Sequence, residues 1–228
     1  SAGPIAAALV CGHSVLYKPA EQSSVTGYFL ARAFYDAGIP PEIFHFLPGR
    51  GNEVGKEMVE HHYISGVAFT GSLGVRHVIR DKLVEFNKFI LPFLPPEERW
   101  EKRAYALESG GKNAMLVFPD ADPDRVIEDI TESFAGFQGE RCSALSRVIF
   151  VDAKGVRSEE IIKRLAERVR SIPVGSPEDM KNIVGPLIDR NAYGKFLFYK
   201  ELAEREGKVL AEGVVPHGLT GYFVSPML

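Results

Sequence analysis

The sequence predicts an α/β protein built on parallel strands, and three observations carry that expectation. Short β-prone runs alternate with segments of helical periodicity. Glycine-containing turns stand where those strands end, which is where parallel sheets bind ligands. The composition, 45% apolar and 25% charged, is that of an ordinary globular chain with enough apolar residues to fill a core. Strands joined through helices require crossover connections, and crossovers produce parallel pairing.

The elements follow in order. PIAAALV reads as the end of a packed helix. In HSVLYKPAEQSS, SVLY is a first strand, Pro19 ends it, and Ser23 or Ser24 is placed to cap the next helix. That helix carries Val25, Phe29, Ala33 and Phe34 at helical spacing, and Gly38 closes it. EIFHFL is a second strand. PGRGNEVGKEMVEHH is a glycine-rich turn entering a short amphipathic helix. SGVAFTGS is a third strand with its turn, and LGVRHVIRDKLVEF is a helix with Val75, Val78, Ile79 and Leu83 on one face. Three prolines and six charges make LPFLPPEERWEKR, residues 91–103, a surface excursion. RAYALESGGKNAMLVF is strand, Gly-Gly break, strand, and the pair Gly110-Gly111 is the one domain seam. A helix runs from Pro123 to about Gly136 with Val126, Ile130, Ser133, Phe134 and Phe137 inward. SRVIFVD is a strand, SEEIIKRLAERVRSI and NAYGKFLFYKELAEREG are amphipathic helices, and KVLAEG and GYFV read as strands. There is no internal repeat.

A formal charge of −3 and a pI near 6.1 argue against nucleic acid as the main partner. No apolar run reaches the roughly 18 residues of a membrane helix. The two cysteines, Cys11 and Cys142, form no disulfide framework, which fits a reducing compartment. Neither lies in a CxxC, and His61-His62 lacks a ligand one helical turn away, so no metal site is expected. The chain opens inside an apolar pattern without a Met and stops directly after GYFV, as a fragment of a longer protein is expected to do.

Candidate ligand-binding turns are residues 18–21, 48–55 and 70–74. Lys18 and Glu21 put a cation and a carboxylate three residues apart, a pair able to grip ribose hydroxyls or equally to be a solvated surface pair. Gly49, Gly51 and Gly55 form G-x-G-x-x-x-G, which departs from the dinucleotide fingerprint and reads equally as a tight turn. Gly71-Ser72 precedes a helix N-terminus, where free N–H groups favour phosphate oxygens; a plain helix cap is the alternative. Glu108 ends an apolar strand before Gly110-Gly111, where partial burial would raise a carboxyl toward a useful general base; a hydrogen-bonded structural glutamate is the alternative. Cys142 lies in the turn FQGERC between a helix and a strand, where a thiol can be exposed and reactive, with a buried filler cysteine as the alternative, whereas Cys11, inside an apolar run, is the inert kind. Arg141 is positioned to favour a thiolate if its side chain turns that way.

The ordered set KPAEQSS, PGRGNEVG, FTGS, LESGG and GERC resembles the aldehyde dehydrogenase superfamily, and the later IPVGSPEDMKNIVGPLID looks like that family's stretch beyond its nucleophile. The resemblance covers nearly the whole chain. WEKRAYALESGGKNAMLV and FQGERCSALSR look most like the subfamily of Δ1-pyrroline-5-carboxylate dehydrogenases, which oxidise glutamate γ-semialdehyde to glutamate.

The resemblance implies a Rossmann-like cofactor domain, represented by residues 1–109, followed by part of an α/β catalytic domain, residues 110–228. It implies that Cys142 attacks the aldehyde to form a thiohemiacetal. Hydride transfer to a nicotinamide then leaves a thioester, which water activated by Glu108 hydrolyses. The Cys142 N–H would supply half of an oxyanion hole. Lys18 and Glu21 match adenine-ribose contacts, Gly51 and Gly55 belong to the neighbouring turn, Gly71 and Ser72 match the pyrophosphate contact, and Ser143 is a candidate substrate contact. A carboxylate at Glu21 would repel a 2′-phosphate, so NAD is expected over NADP.

The resemblance further implies a cytoplasmic homo-oligomer, in many bacteria fused to a flavin-dependent proline dehydrogenase. The family's oxyanion asparagine would precede Ser1, and its nicotinamide-ribose motif and substrate-anchor loop would follow Leu228. Residues 1–228 alone are therefore expected to be inactive. The stretch from Ser72 to Glu108 is longer than the family pattern. The alternatives are a dehydrogenase for another semialdehyde, such as that of succinate, and a silent NAD-binding module.

Overall fold

The computed structural model describes residues 1–96, 102–152 and 155–228. These form two compact units, Ser1–Ser109 and Gly110–Leu228. The excursion read at residues 91–103 lies partly outside the described residues.

Three strand–helix–strand segments supply all the extended pairing between named strands, and each pair is parallel. In the first unit, β1 (Val15–Tyr17) leads through α2 (Ser24–Asp36) to β2 (Phe44–Phe46), after an opening helix α1 (Ala2–Val10). A π-helical turn, Gly51–Gly55, then runs into α3 (Lys56–Glu60). β3 (Gly66–Gly71) leads through α4 (Leu73–Glu85) to β4 (Ala104–Ser109), in the register Thr70 opposite Glu108 and Gly71 opposite Ser109. In the second unit, β5 (Asn113–Val117) leads through α5 (Pro123–Ala135) to β6 (Leu145–Phe150), and α6 (Val156–Arg170) and α7 (Arg190–Glu206) follow.

Packing in the first unit differs from the sequence pattern in several places. Ile5, Tyr17, Ala31 and Phe44 make its main core, with Leu30 and Phe34 against them. The α2 face that packs is thus Gly27, Ala31, Leu30 and Phe34, while Val25 and Phe29 are exposed. Small residues let α2 approach closely: a Cβ on Gly27 would come within 2.7 Å of Pro19. On α4 only Leu83 is buried, and Val75 and Val78 face out. Neither Ser23 nor Ser24 caps α2; both hydroxyls donate backward, to the Ala20 carbonyl, because a 3-10 turn at Glu21–Ser23 brings that carbonyl within reach. Arg103 is buried beneath α3, its guanidinium over the Phe86 ring and donating to the Val59 and His61 carbonyls. Burial lowers its pKa below the usual arginine value.

The second unit holds the larger core. α5 buries Val126 and Ile130, one turn apart, and α6 buries Ile161, Leu165 and Val169 along a single stripe. Burying each of these side chains stabilises the fold by about 1.5–3 kcal/mol. Asp122 caps α5 by accepting from Asp124 N and Arg125 N, and Pro123 stands where a helix loses no hydrogen bond to it. Ser133 and Phe134 are half-buried on the inner side of α5, but Phe137 is exposed because the chain has already left the helix there. α7 buries none of its residues despite its amphipathic pattern. KVLAEG and GYFV form single bridges rather than strands, Glu212 to Met227 and Leu187 to Tyr222. Prolines at 216 and 226 lack the N–H a longer ladder needs.

Candidate active site

In the first unit three candidate turns carry the residues the sequence singled out. Lys18 follows β1 and donates from Nζ to the Pro19 carbonyl at 2.7 Å and to the Gly49 carbonyl at 3.4 Å. Glu21 Oε1 accepts from Gly51 N at 2.7 Å. Gly55 lies against the Lys18 stem, since a Cβ there would stand 3.3 Å from Lys18 Cε. Lys18, Glu21, Gly51 and Gly55 therefore form one cluster, with the cation and carboxylate both held on the glycine-rich turn. A carboxylate that accepts and an ammonium that donates suit a pair of vicinal hydroxyls.

Ser72 caps α4, its hydroxyl accepting from Val75 N at 3.4 Å. Gly71 makes room for the Phe69 ring, which a Cβ would meet at 2.4 Å. Through the β3–β4 register, Glu108 lies one position from the pair Gly71–Ser109, at the same carboxyl end of the two strands as Ser72. The Glu108 side chain is exposed rather than partly buried. Alternate residues at this end of β4 face a single covered side, and Glu108 belongs to the other.

In the second unit Cys142 and Ser143 lie in the turn between α5 and β6, and both are exposed. Cys142 is a free thiol. Directly after them Ala144 and Leu145 are buried, so the turn is rooted in the core at its far side. Asn113, at the start of β5, donates from Nδ2 to the Cys142 carbonyl at 2.8 Å and to the Ala144 carbonyl at 3.0 Å. Gly111 allows this approach: a Cβ there would stand 2.9 Å from the Cys142 carbonyl oxygen. The sequence reading missed Asn113; its only signal was a side-chain amide two residues after the Gly-Gly break.

Arg141 does not serve the thiol. Its guanidinium turns back to the Glu132 and Gly136 carbonyls, where a cation complements the C-terminal end of α5. Before it, Phe137 and Gln138 both adopt left-handed backbone, at φ 57° and 53°. For non-glycine residues this costs about 1–3 kcal/mol each. Glu140, though exposed as a residue, has a carboxyl raised above its ordinary value, first by partial loss of hydration and then by the Asp189 carboxylate. Cys11 is exposed too, correcting the expectation of a buried thiol. It ends α1, which buries only Ile5, and the chain turns away at Gly12. Among the described residues no group of histidine, cysteine and carboxylate side chains could hold a metal ion, and no helix is long and apolar enough to cross a membrane.

Comparison with known proteins identifies the family. The aldehyde dehydrogenase family signature matches residues 1–228. A 1-pyrroline-5-carboxylate dehydrogenase from Anoxybacillus flavithermus is 34% identical over 225 residues, 99% of this chain and 41% of the relative. The enzyme of the same name from Bacillus subtilis is 35% identical over 228 residues, 42% of its length. The chain thus spans about two-fifths of the curated relatives it matches. Among solved structures, proline utilization A from Bdellovibrio bacteriovorus superposes with a TM-score of 0.87 and 36% identity, covering 99% of this chain and 22% of that one. A Thermus 1-pyrroline-5-carboxylate dehydrogenase with bound NAD gives 0.80 and 35%, covering 94% of this chain and 39% of that one. The two units, with their helices and parallel strand pairs, form part of the aldehyde dehydrogenase fold, and the chain belongs to the aldehyde dehydrogenase family.

Proposed function

We propose that the complete protein oxidises glutamate γ-semialdehyde to glutamate with NAD, using Cys142 as nucleophile and Glu108 as base. The observation that carries this reading is the Cys142 turn: an exposed thiol on a core-rooted loop, its carbonyl tied to the strand that follows LESGG. Relatives named for this activity match along the whole chain, which supports the choice of substrate.

Cys142 Sγ attacks the aldehyde carbon and gives a thiohemiacetal, and the Cys142 N–H donates to the oxygen as it gains charge. Oxidation leaves a thioester on Sγ. Glu108 takes a proton from water, which attacks the thioester carbon, releases the acid and returns the thiol. Ser143 contacts the substrate beside the nucleophile.

Lys18 and Glu21 would hold the adenine ribose, beside Gly51 and Gly55, and Gly71-Ser72 at the α4 N-terminus would hold the pyrophosphate. Bound NAD supplies the two-electron acceptor. The donor set fits: the Glu21 carboxylate, fixed by Gly51 N, is suited to hydroxyls and opposed to a 2′-phosphate. In the cell the protein is a cytoplasmic homo-oligomer, joined to or working with a proline dehydrogenase; the proline utilization A neighbours support that association.

The test is NADH formation by the complete protein, with glutamate γ-semialdehyde and succinate semialdehyde compared at equal concentration. A large kcat/KM preference for the first is expected. Preference for succinate semialdehyde moves the enzyme to another pathway while keeping both residues in their roles. No NADH from either, with NAD still bound, makes the protein a silent binding module.

A further inference from the structure

The left-handed pair Phe137–Gln138 needs a reason, because the sequence places no glycine there to relieve it. The Gln138 side chain supplies one. With its amide oriented to satisfy both ends, Oε1 accepts from Gly185 N at 2.8 Å and Nε2 donates to the Phe137 carbonyl at 3.0 Å. The Phe137 carbonyl also accepts from Glu140 N at 3.0 Å, so one oxygen gathers the whole turn. Gly185 is a fixed point: it is buried, the adjacent Val184 is in the core, and Val184 bridges to Val174. A Cβ on Gly185 would come within 2.5 Å of the Gln138 carboxamide and displace it. Four residues after Gln138 comes Cys142, held from its other side by Asn113.

We propose that Gln138 is a positioning residue for Cys142: its carboxamide locks the strained turn onto the core at Gly185, and so sets where the thiol stands. This rests on the reading of Cys142 as the nucleophile. Gln138 touches no reacting atom; it acts through the backbone of Phe137 to Cys142. A reacting atom displaced by about 1 Å loses on the order of 100-fold in rate, so a lock on the turn is worth more to catalysis than to folding.

The experiment uses the complete protein with four variants: Gln138→Ala, Gln138→Glu, Gly185→Ala and Cys142→Ser. Two readouts are taken on each, steady-state oxidation of the aldehyde and the rate of iodoacetamide alkylation at Cys142 followed by mass spectrometry. Gln138→Ala is expected to lower kcat about 10–100-fold with the KM for NAD within twofold, and to change the alkylation rate at least fivefold. Gly185→Ala, which displaces the carboxamide from the opposite side, is expected to match it. Gln138→Glu keeps the acceptor for Gly185 N but loses the donor to the Phe137 carbonyl, and is expected to fall between Gln138→Ala and the parent in both readouts, a grading that a general loss of stability would not give. If Gln138→Ala does not fold, Gly185→Ala and Gln138→Glu carry the same test. Unchanged kcat and unchanged alkylation in the folded variants overturn the positioning role, while loss of turnover in Cys142→Ser keeps the nucleophile. Full turnover in Cys142→Ser overturns the nucleophile reading itself, and the positioning role for this reaction goes with it.

Discussion

The Lys18 turn and the Cys142 turn each tie a short exposed segment to residues some thirty positions away, and they do it by different means. At Lys18 the bonds join flexible charged side chains to the backbone of a glycine-rich turn, and neither Lys18–Glu21 nor Gly49–Gly55 contains a residue in left-handed backbone. At Cys142 the bonds run between backbone groups and short amides, two residues are strained, and the loop is anchored beside the largest core of the molecule. The first arrangement fixes charge and leaves position adjustable. The second fixes position, which the proposed covalent step needs, because its rate would depend on geometry more steeply than binding does.

The sharpest test of that contrast is the thiol itself. Cys142→Ser is expected to lower kcat by on the order of 10³-fold or more, while Cys11→Ser stays within twofold of the parent. Equal losses in the two would remove the distinction between a built site and an exposed helix end. Smaller is the effect expected at the other turn: Glu21→Ala should raise the KM for NAD about tenfold, the value of one hydrogen bond to a charged group, and leave the alkylation rate of Cys142 unchanged. A change in alkylation would mean that the two turns are coupled.

The smallest effect is on stability. The Glu212 carboxylate accepts from Lys200 Nζ and from Ser225 Oγ, which hold its pKa below the ordinary 4.5. A carboxyl lowered on folding adds stability that is fully present above 4.5 and is lost as pH falls through the lowered value. Melting temperatures of the parent and Glu212→Gln, followed from pH 7 to pH 3, should therefore converge on the acid side. A gap that stays constant across that range would leave Glu212 with no ionic role in anchoring the second unit.

Much of the architecture was legible. Each strand–helix–strand segment announced itself through a β-prone run, a capping or turn residue and a helical repeat, as at Asp122-Pro123 before α5. What periodicity did not settle was which apolar face packs. Val25 and Phe29 outrank Gly27 and Ala31 in hydrophobicity, yet α2 packs through the smaller pair because close approach to Pro19 leaves no room for more.

By itself, then, the sequence determined the alternation of elements and nominated the candidate turns and the candidate thiol, because local propensity and short motifs are properties of neighbouring residues. Tertiary structure alone decided that Arg141 serves the end of α5, that Glu108 stands exposed, and that Asn113 and Gln138 hold the Cys142 turn from two sides. Those contacts join residues far apart in the chain, and only folding brings such partners within hydrogen-bonding distance.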